Sequence, residues 1–428
     1  MPDTMYEYYR RQEVLPTNAS FRSPAQLEAY QRQRRDIFVH KLGLPPQVFR
    51  QARLLEFGPD SGENSLVFAQ WGAACTLSEP NLRAHPMIRE YFRRFELSTR
   101  LVALRDASIT NFGPQFPQEN YDIIDAEGFI YTVRPEQQWI DLFARLLDAD
   151  GFVILTYLET YGSFLELLLK VIHRRMRALT GKTPLESARQ VFRAKWDSIP
   201  HTRPLASWVM DVLDNPFVRL RYLFEPQTLC RQMHQAGFTL YSSWPCYKEV
   251  LNVDWVKKPW NAAAALQSQT QCIAQSRLSY FLGRTCFLPQ PDPGLEQLLQ
   301  DLVTRVDSLI DEFVLGRSAA CRRDLAALAA VIGSDLPLIH AEDAARLLEW
   351  IASMQTVLSL LERGRVDELI AFCNSDEAFI RNWGSPSHWA VFCRQPGAAD
   401  ASRPQRTLDL AAYRHAQATQ EELRRRAA

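Results

Sequence analysis

The sequence has no excess of charge of either sign. Its 49 lysine and arginine residues equal its 49 aspartate and glutamate residues, so the formal net charge is zero. Proteins whose main partner is a nucleic acid usually carry a large basic excess, because contacts with phosphate supply most of their affinity. The composition therefore argues against nucleic acid as a partner.

Closely spaced cysteines and an uninterrupted apolar run are also lacking. The 8 cysteines stand singly, without the CxxC spacing of zinc or redox sites, so we expect no bound metal and reduced thiols. The most apolar stretch, GFVILTYLETYGSFLELLLKVI, is interrupted by Glu159 and Glu166, which argues against a membrane-spanning helix. The N-terminus has no apolar signal-peptide core. These features predict a cytoplasmic protein with no membrane span.

Short apolar runs alternate with helix-like segments from Arg53 onward. This alternation predicts a parallel sheet with helices on both faces, the α/β class. Residues 1–50 have the pattern of a helical N-terminal segment, with a helix beginning at Ser23 and Pro24. The runs that we assign to the first five strands are ARLLEFG, AACTLSEPN, RLVALRDAS, YDIIDAEG and GFVILTYLE.

The loop in RLLEFGPDSGENS follows the first strand. Gly58 and Gly62 let the backbone turn sharply, and the next helix would offer free N–H groups to a carboxylate or phosphate. Taken alone, the loop could hold a dinucleotide, hold another adenosine cofactor, or only form a tight turn. The dinucleotide fingerprint G-x-G-x-x-G fails, since Asp60 and Glu63 stand at its second and third glycines.

Three acids end three successive predicted strands, and this favours a cofactor site. Glu56 ends the first strand, Glu79 the second and Asp106 the third. Glu79 follows the loop by about twenty residues, where a carboxylate can accept hydrogen bonds from both hydroxyls of a ribose. Asp106 is placed to accept a hydrogen bond from an adenine amino group.

The segments LLEFGPDSGENS, LSEPN, LRDAS and YDIIDAEG together resemble the ordered motifs of class I S-adenosylmethionine-dependent methyltransferases. The resemblance covers residues 53–160 well and 223–243 more loosely. It implies a Rossmann-like sheet of seven strands, the last one antiparallel, with S-adenosylmethionine as the cofactor. The residues that it assigns to the cofactor are Glu56, Gly58 and Gly62 for the methionine part, Glu79 for the ribose, Asp106 and Ala107 for the adenine, and Asp125, Ala126 and Glu127 beside the methyl group.

Asp60 is a departure from the family, which commonly has a glycine at this position. Aspartate tolerates left-handed backbone better than most residues, so the turn can survive. Its carboxylate could contact the cofactor's ammonium group, and we therefore include Asp60 among the cofactor-binding residues. The alternative is a weakened site that no longer binds.

The family's last two strands define the domain boundaries. GFTLYSSWP is the candidate sixth strand and HWAVFCRQ the candidate seventh. The alternative is a separate C-terminal helical domain, with a seventh strand hidden in CYKEVLNVDWV. Amphipathic helices within residues 295–379 could form a homodimer. The predicted segments are a helical segment or lid at 1–50, the methyltransferase core at 51–245 with an acceptor-pocket insert at 161–222, a helical insertion or subdomain at 246–385, the last strand at 386–395 and a flexible tail at 396–428.

The acceptor residues are expected in the insert between strands five and six, where the family usually builds this pocket. The N/D-P-P-Y signature of amino-group methyltransferases is absent after the fourth strand, which favours an oxygen acceptor. His201 and Asp211 are the candidate general bases. Arg203, Trp208 and Tyr131 are the candidate substrate-binding residues.

These features together predict methyl transfer from S-adenosylmethionine to a polar small molecule or a saccharide. The alternatives are an RNA or protein methyltransferase and a catalytically silent scaffold built on the same fold. The segment YEYYRR near the N-terminus could fold over the cofactor as a lid, although packing of an amphipathic helix is the simpler explanation.

Overall fold

A computed structural model of the chain describes residues 4–12, 21, 23–199, 203–248, 261–285, 292–335 and 341–395. The predicted flexible tail from residue 396 and much of the segment CYKEVLNVDWV lie outside the described residues.

A seven-stranded sheet forms the centre of the protein, in the order β3-β2-β1-β4-β5-β7-β6. β7 is antiparallel to both of its neighbours, β5 and β6, and the remaining neighbours pair in parallel. The predicted Rossmann-like sheet with a reversed last strand is thereby confirmed. The strands are β1 (Arg53–Phe57), β2 (Ala74–Ser78), β3 (Leu101–Arg105), β4 (Tyr121–Ala126), β5 (Leu147–Leu158), β6 (Phe238–Trp244) and β7 (Ser387–Arg394).

Helices cover both faces of the sheet because strand side chains alternate between the faces. In β1, Leu54 packs into one apolar cluster, whereas Leu55 and Phe57 pack into the cluster on the other face. The helices of this part of the chain are α1 (Met5–Arg11), α2 (Pro24–Arg35), α3 (Glu63–Gln70), α4 (His85–Arg94), α5 (Ile109–Gln115), α6 (Gln137–Leu146), α7 (Phe164–Thr180), α8 (Pro184–Asp197), α9 (Leu205–Trp208) and α10 (Pro226–Gln235).

Shorter helical turns connect several of these elements. Two of them are π-helical and directly continue a helix, Asp36–Lys41 after α2 and Val209–Leu213 after α9. Helix α5 lies between β3 and β4 and includes Pro114. The 3-10 turns are Pro46–Phe49, Ser98–Arg100, Ile130–Thr132 and Leu220–Tyr222.

The described residues between β6 and β7 form six helices. Their apolar side chains share one buried cluster with α7 and α8. The amphipathic pattern that suggested a homodimer is thus satisfied within a single chain, with Leu299, Val306 and Leu358 all buried. The helices are α11 (Ala262–Leu282), α12 (Pro293–Asp311), α13 (Leu315–Asp335), α14 (Ala341–Glu362), α15 (Val366–Ser375) and α16 (Glu377–Arg381).

Lys195 of α8 joins these helices to the insert. Its buried ammonium donates hydrogen bonds to the carbonyl oxygens of Phe379 and Asn382 and lies 4.3 Å from the ring centroid of Trp383. Burial lowers the pKa of Lys195 to about 7. The pairing of the two carbonyls compensates for the cost of burying this side chain.

Replacing Lys195 with methionine should lower the free energy of unfolding by about 1–2 kcal/mol, because two buried carbonyls lose their donor. Urea unfolding measures this difference. Arg193→Met on the same helix is the control, since its side chain is 73% exposed and pairs only with Asp197 among the contacts seen. Equal stability of the two variants would show that Lys195 contributes no net stabilisation.

Candidate functional site

A cavity of about 580 Å³ opens at the carboxyl ends of β1, β2, β3 and β4. This is the edge where open α/β sheets bind ligands, next to the point at which the strand order reverses. Residues of α1 and the preceding Thr4 cover it from one side. Six of the predicted cofactor residues line the cavity: Gly58, Asp60, Glu79, Asp106, Ala107 and Glu127.

The loop after β1 turns through three left-handed residues, Gly58 (φ 64°), Asp60 (φ 52°) and Gly62 (φ 90°). The N–H of Gly58 donates to the carbonyl of Ser78 at 2.9 Å, which ties the loop to β2. A Cβ on Gly58 would lie 3.1 Å from the ring of Phe129, so the backbone approaches the β4 loop closely. The turn therefore keeps its left-handed shape with aspartate where the family has glycine.

Glu79 lies at the end of β2 and holds the cavity's two neighbouring loops together. Its Oε2 accepts the Asp60 N–H at 3.0 Å, and its Oε1 accepts the Asn81 N–H at 2.7 Å. Burial raises the pKa of the Glu79 carboxyl to about 8, with a smaller contribution from the charge of Asp60. Each carboxylate oxygen still has a second lone pair, which can accept a hydrogen bond from a ligand hydroxyl group.

Glu127 closes the opposite side of the cavity at the end of β4. The guanidinium of Arg34 donates hydrogen bonds to both of its carboxylate oxygens, from Nη1 to Oε2 at 2.8 Å and from Nη2 to Oε1. Arg34 is 5% exposed and lies over the rings of Phe38 and Trp389, at 4.8 and 5.4 Å from their centroids. The N-terminal helix α2 thus reaches the cofactor side of the sheet.

The contribution of Arg34 was missed, although the sequence contains a signal for it. Arg34 follows Leu27 by seven residues and precedes Phe38 by four, so it occupies the apolar face of α2. An arginine on a buried face needs an acidic partner. The Glu127 carboxylate is that partner.

Four residues assigned to the cofactor do not line the cavity, which corrects the prediction, and the first two are Glu56 and Gly62. Glu56 is 2% exposed and accepts a hydrogen bond from the hydroxyl of Ser65. Burial raises its pKa to about 8. Gly62 begins α3, and a Cβ there would lie 3.1 Å from Ile88. Both residues support the loop from behind rather than from the cavity.

Asp125 is fully buried beside Glu56 and Glu127, and neither of its carboxylate oxygens has a hydrogen-bond partner among the residues that the structure describes. Burial, followed by the charges of Glu127 and Glu56, raises its pKa well above the ordinary value. A carboxyl in this position is favoured in its neutral form. Asp125 does not line the cavity. Ala126 does not line it either, since it is buried in β4 and pairs with Phe57 of β1.

Helix α1 connects the cavity with the insert. Tyr9 lines the cavity, and its hydroxyl donates to Oδ1 of Asp211 at 3.1 Å. The Tyr8 hydroxyl donates to the carbonyl of Met210 at 2.9 Å. The helix predicted from YEYYRR therefore packs through buried tyrosines and also covers the cavity.

The predicted acceptor residues divide into two groups. Asp211 accepts hydrogen bonds from Arg203, from the Ser207 hydroxyl at 3.2 Å and from Tyr9. Tyr131 is close enough for the charges of Asp211 and Arg203 to act on its hydroxyl, whose pKa is raised chiefly by burial. None of Asp211, Arg203 and Tyr131 lines the cavity, and they lie behind Tyr9.

Trp208 is not available to stack on a substrate, which corrects its assignment. Its ring is 3% exposed and lies 4.9 Å from that of Trp196, in a stacked arrangement, with Trp383 at 5.9 Å. It belongs to the apolar core of the insert. His201 lies outside the described residues.

Other kinds of site receive no support from the described part of the chain. Within it, no three histidine, cysteine or acidic side chains are grouped so as to hold a metal ion. No helix of that part is both long and apolar enough to cross a bilayer.

Comparisons with known proteins identify the family. A family model described as a methyltransferase domain matches residues 28–243, half of the chain. No curated protein matches the sequence. One similar solved structure is PKMT2 from Rickettsia typhi, with 17% identity, a TM-score of 0.38 and a match over 59% of this chain. Another is the N-methyltransferase NodS from Bradyrhizobium japonicum in complex with S-adenosyl-l-homocysteine, with 15% identity, a TM-score of 0.28 and 36% of this chain. The methyltransferase CcbJ from Streptomyces caelestis has 15% identity, a TM-score of 0.25 and a match over 28% of this chain.

The three matches also differ in the share of the similar protein's own length that is matched. This chain covers 50% of the PKMT2 chain, 74% of NodS and 56% of CcbJ. The family model and the sheet carry the assignment, since the seven strands end in the reversed strand that the family requires. The chain therefore belongs to the class I S-adenosylmethionine-dependent methyltransferase family.

Proposed function

We propose that the protein uses S-adenosylmethionine to methylate a hydroxyl group of a polar small molecule or a saccharide. The observation that carries this proposal is the grouping of Glu79, Asp106 and Glu127 around one cavity beside the left-handed Gly58 loop. Carboxylates at three strand ends suit a ligand that presents hydroxyl and amino groups. The volume of about 580 Å³ lies in the range of small-molecule and cofactor pockets.

Each cavity residue has a role in holding the cofactor. Glu79 accepts hydrogen bonds from the ribose hydroxyls, and Asp106 accepts one from the adenine amino group. The loop of Gly58 and Asp60 lies along the methionine part. The cofactor supplies an activated methyl group, and the protein's own task is to align the acceptor and to remove its proton.

Proton removal falls to Asp211, acting through Tyr9. Burial raises the pKa of Tyr9 well above its ordinary value, so its hydroxyl stays protonated and donates to Asp211. Burial also raises the pKa of Asp211, against the opposing charge of Arg203, and this increases its basicity. The acceptor's hydroxyl donates its proton to the Tyr9 oxygen as Tyr9 passes its own proton to Asp211. Arg203 orients the Asp211 carboxylate.

The affinity for S-adenosylmethionine should depend on pH through Glu79. Because the pKa of Glu79 is about 8, its carboxyl group is mostly protonated at neutral pH in the protein without ligand. Ribose hydroxyls donate best to the ionised carboxylate, so binding releases a proton. We expect the affinity to rise by up to about tenfold per pH unit between about pH 5.5 and pH 7.5. Calorimetric titration of the full chain in buffers of different ionisation enthalpy measures both effects.

Glu79→Gln is the matched control for this pH dependence. The amide keeps an acceptor oxygen but has no proton to release, so the pH slope assigned to Glu79 should disappear. An equal slope in both proteins would assign the titration to another group. Absence of S-adenosylmethionine binding throughout the pH range would overturn the proposed function.

A further inference from the structure

A second pocket, of about 540 Å³, lies against a different face of helix α1 from the cavity. Met5 and Tyr9 of α1 line the cavity, whereas Tyr8 and Gln12 line the second pocket. Residues four apart share one face of a helix, so α1 contributes one face to each site. Helix α7, the start of α8, α9 and the π-helical turn after α9 supply most of the remaining lining of the second pocket.

Two arginines of α7 line the second pocket. Arg177 Nη1 donates to Oδ1 of Asp214 at 2.9 Å, and Asp214 is the only acidic residue among the described residues that line the pocket. Arg174 forms no ion pair within the described part of the chain, and its Nη1 donates to the carbonyl oxygen of Ile310 at 2.9 Å. Burial, followed by the charge of Arg219, lowers the pKa of Arg174. The lining therefore has two guanidiniums and one carboxylate, an excess of one positive charge.

Part of the wall of the second pocket is apolar. Leu185 of α8 and Val209 and Met210 of the π-helical turn line it. The volume suits a small organic molecule. Guanidiniums pair well with phosphate and carboxylate groups, and Arg174 has no carboxylate partner within the described residues. The lining therefore fits a ligand that joins an anionic group to an apolar body.

Hydrogen bonds of α1 connect the second pocket with the cavity. The Tyr8 hydroxyl donates to the carbonyl oxygen of Met210 at 2.9 Å, and both residues line the second pocket. The next residue of each element forms the pair of Tyr9 and Asp211, at 3.1 Å. Because α1 has only seven residues, its packing rather than its own propensity holds it in place. A ligand that contacts both α1 and α7 would therefore stabilise α1 over the cavity.

We propose that the second pocket is an effector site for an organic anion, a phosphate or carboxylate on an apolar body, and that its occupation tightens the binding of S-adenosylmethionine. Arg174 and Arg177 hold the anionic group, and Tyr8 and Gln12 link the ligand to α1. Binding of the anion is independent of the proposed function, whereas the coupling rests on it. Since coupling between two sites is reciprocal, S-adenosylmethionine tightens the binding of the anion by the same factor.

The test is calorimetric titration of the full chain with phenyl phosphate and with benzoate, and with phenol as the neutral control. We expect one of the anions or both to bind saturably, one per chain, and phenol not to bind at the same concentration. Saturation with the anion should raise the affinity for S-adenosylmethionine about fivefold or more. S-adenosylmethionine should raise the affinity for the anion equally.

Substitutions on α7 test where the anion binds. Arg174→Gln and Arg177→Gln each remove one guanidinium, and each should weaken the binding of the anion at least about fivefold. Arg175→Gln is the matched control on the same helix, since the Arg175 guanidinium lies 5.0 Å from the ring centroid of Phe313 and does not line the second pocket. Its affinity for the anion should be unchanged. Thermal unfolding without ligand checks the fold of each variant, and the two pocket variants test the site independently.

The possible outcomes separate this inference from the proposed function. Absence of anion binding, binding of phenol as tight as that of the anions, or an equal loss in Arg175→Gln would overturn the effector site. An anion that binds but leaves the affinity for S-adenosylmethionine unchanged, or lowers it, would overturn the coupling. Anion binding by a chain that does not bind S-adenosylmethionine would overturn the proposed function and leave the anion site standing.

Discussion

Glu79→Ala is expected to weaken the binding of S-adenosylmethionine by about 1.5–3 kcal/mol. This corresponds to a loss of affinity of roughly tenfold to a hundredfold. The variant loses the proposed acceptor of the two ribose hydroxyls, and it also releases the Asp60 and Asn81 N–H groups that Glu79 holds. Calorimetric titration measures the change, with thermal unfolding of the empty protein as a check on the fold.

The control for this prediction is Glu90→Ala. Glu90 lies on the neighbouring helix α4 and pairs with the exposed Arg93 and Arg94, away from the cavity. Its removal should leave the affinity unchanged. If Glu79→Ala also binds with unchanged affinity while remaining folded, the ribose is held elsewhere.

The largest effect on stability is expected from Gly162→Ala. Gly162 follows β5 and meets the segment that leads into β7, where a Cβ on Gly162 would lie 2.0 Å from the carbonyl oxygen of Ser385. The same segment is as tightly packed at Gly384, where a Cβ would lie 2.6 Å from the carbonyl oxygen of Gly162. Two backbone segments therefore cross with no room for a side chain.

An alanine at Gly162 must displace backbone atoms, because neither partner is a flexible side chain. We expect a loss of more than about 3 kcal/mol in the free energy of unfolding, at the upper end of the cost of overpacking. The displacement would separate β7 from the end of β5, where Glu159 N–H donates to the carbonyl of Pro386 at 2.7 Å. Urea unfolding measures the loss.

Gly316→Ala is the matched control. The same methyl group is added in α13, where a Cβ would meet no atom of the described residues within 4 Å. Stability should be unchanged or slightly higher, because alanine favours helix more than glycine does. Similar losses in the two variants would mean that the crossing at Gly162 can relax.

Much of the sheet could be predicted because its determinants are local. Buried strands such as β1 and β4 are short apolar runs, and each has an acid next to its last residue, which the strand direction places at one edge of the sheet. The alternation of side chains also explains one error. Glu56 is two residues from Leu54, so it shares that face of β1 and points to Ser65 of α3 instead of the cavity.

The other errors concern residues whose neighbours are distant in sequence. Trp208 is buried by Trp383, which lies beyond helices α10 to α16 and more than 170 positions along the chain. Tyr9 becomes part of the site only because α1 packs against Asp211. Sequence patterns indicate which faces are apolar, but the partner of each face is set by the assembled fold.

A pair of calorimetric titrations of the full chain, with S-adenosylmethionine and with NAD, measures directly whether the cavity binds S-adenosylmethionine. The loop after β1 has the left-handed turn of Gly58 and Asp60 but not the glycines of a dinucleotide fingerprint. We expect saturable binding of one S-adenosylmethionine per chain and no binding of NAD. Binding of NAD alone, or of neither ligand, would contradict this expectation.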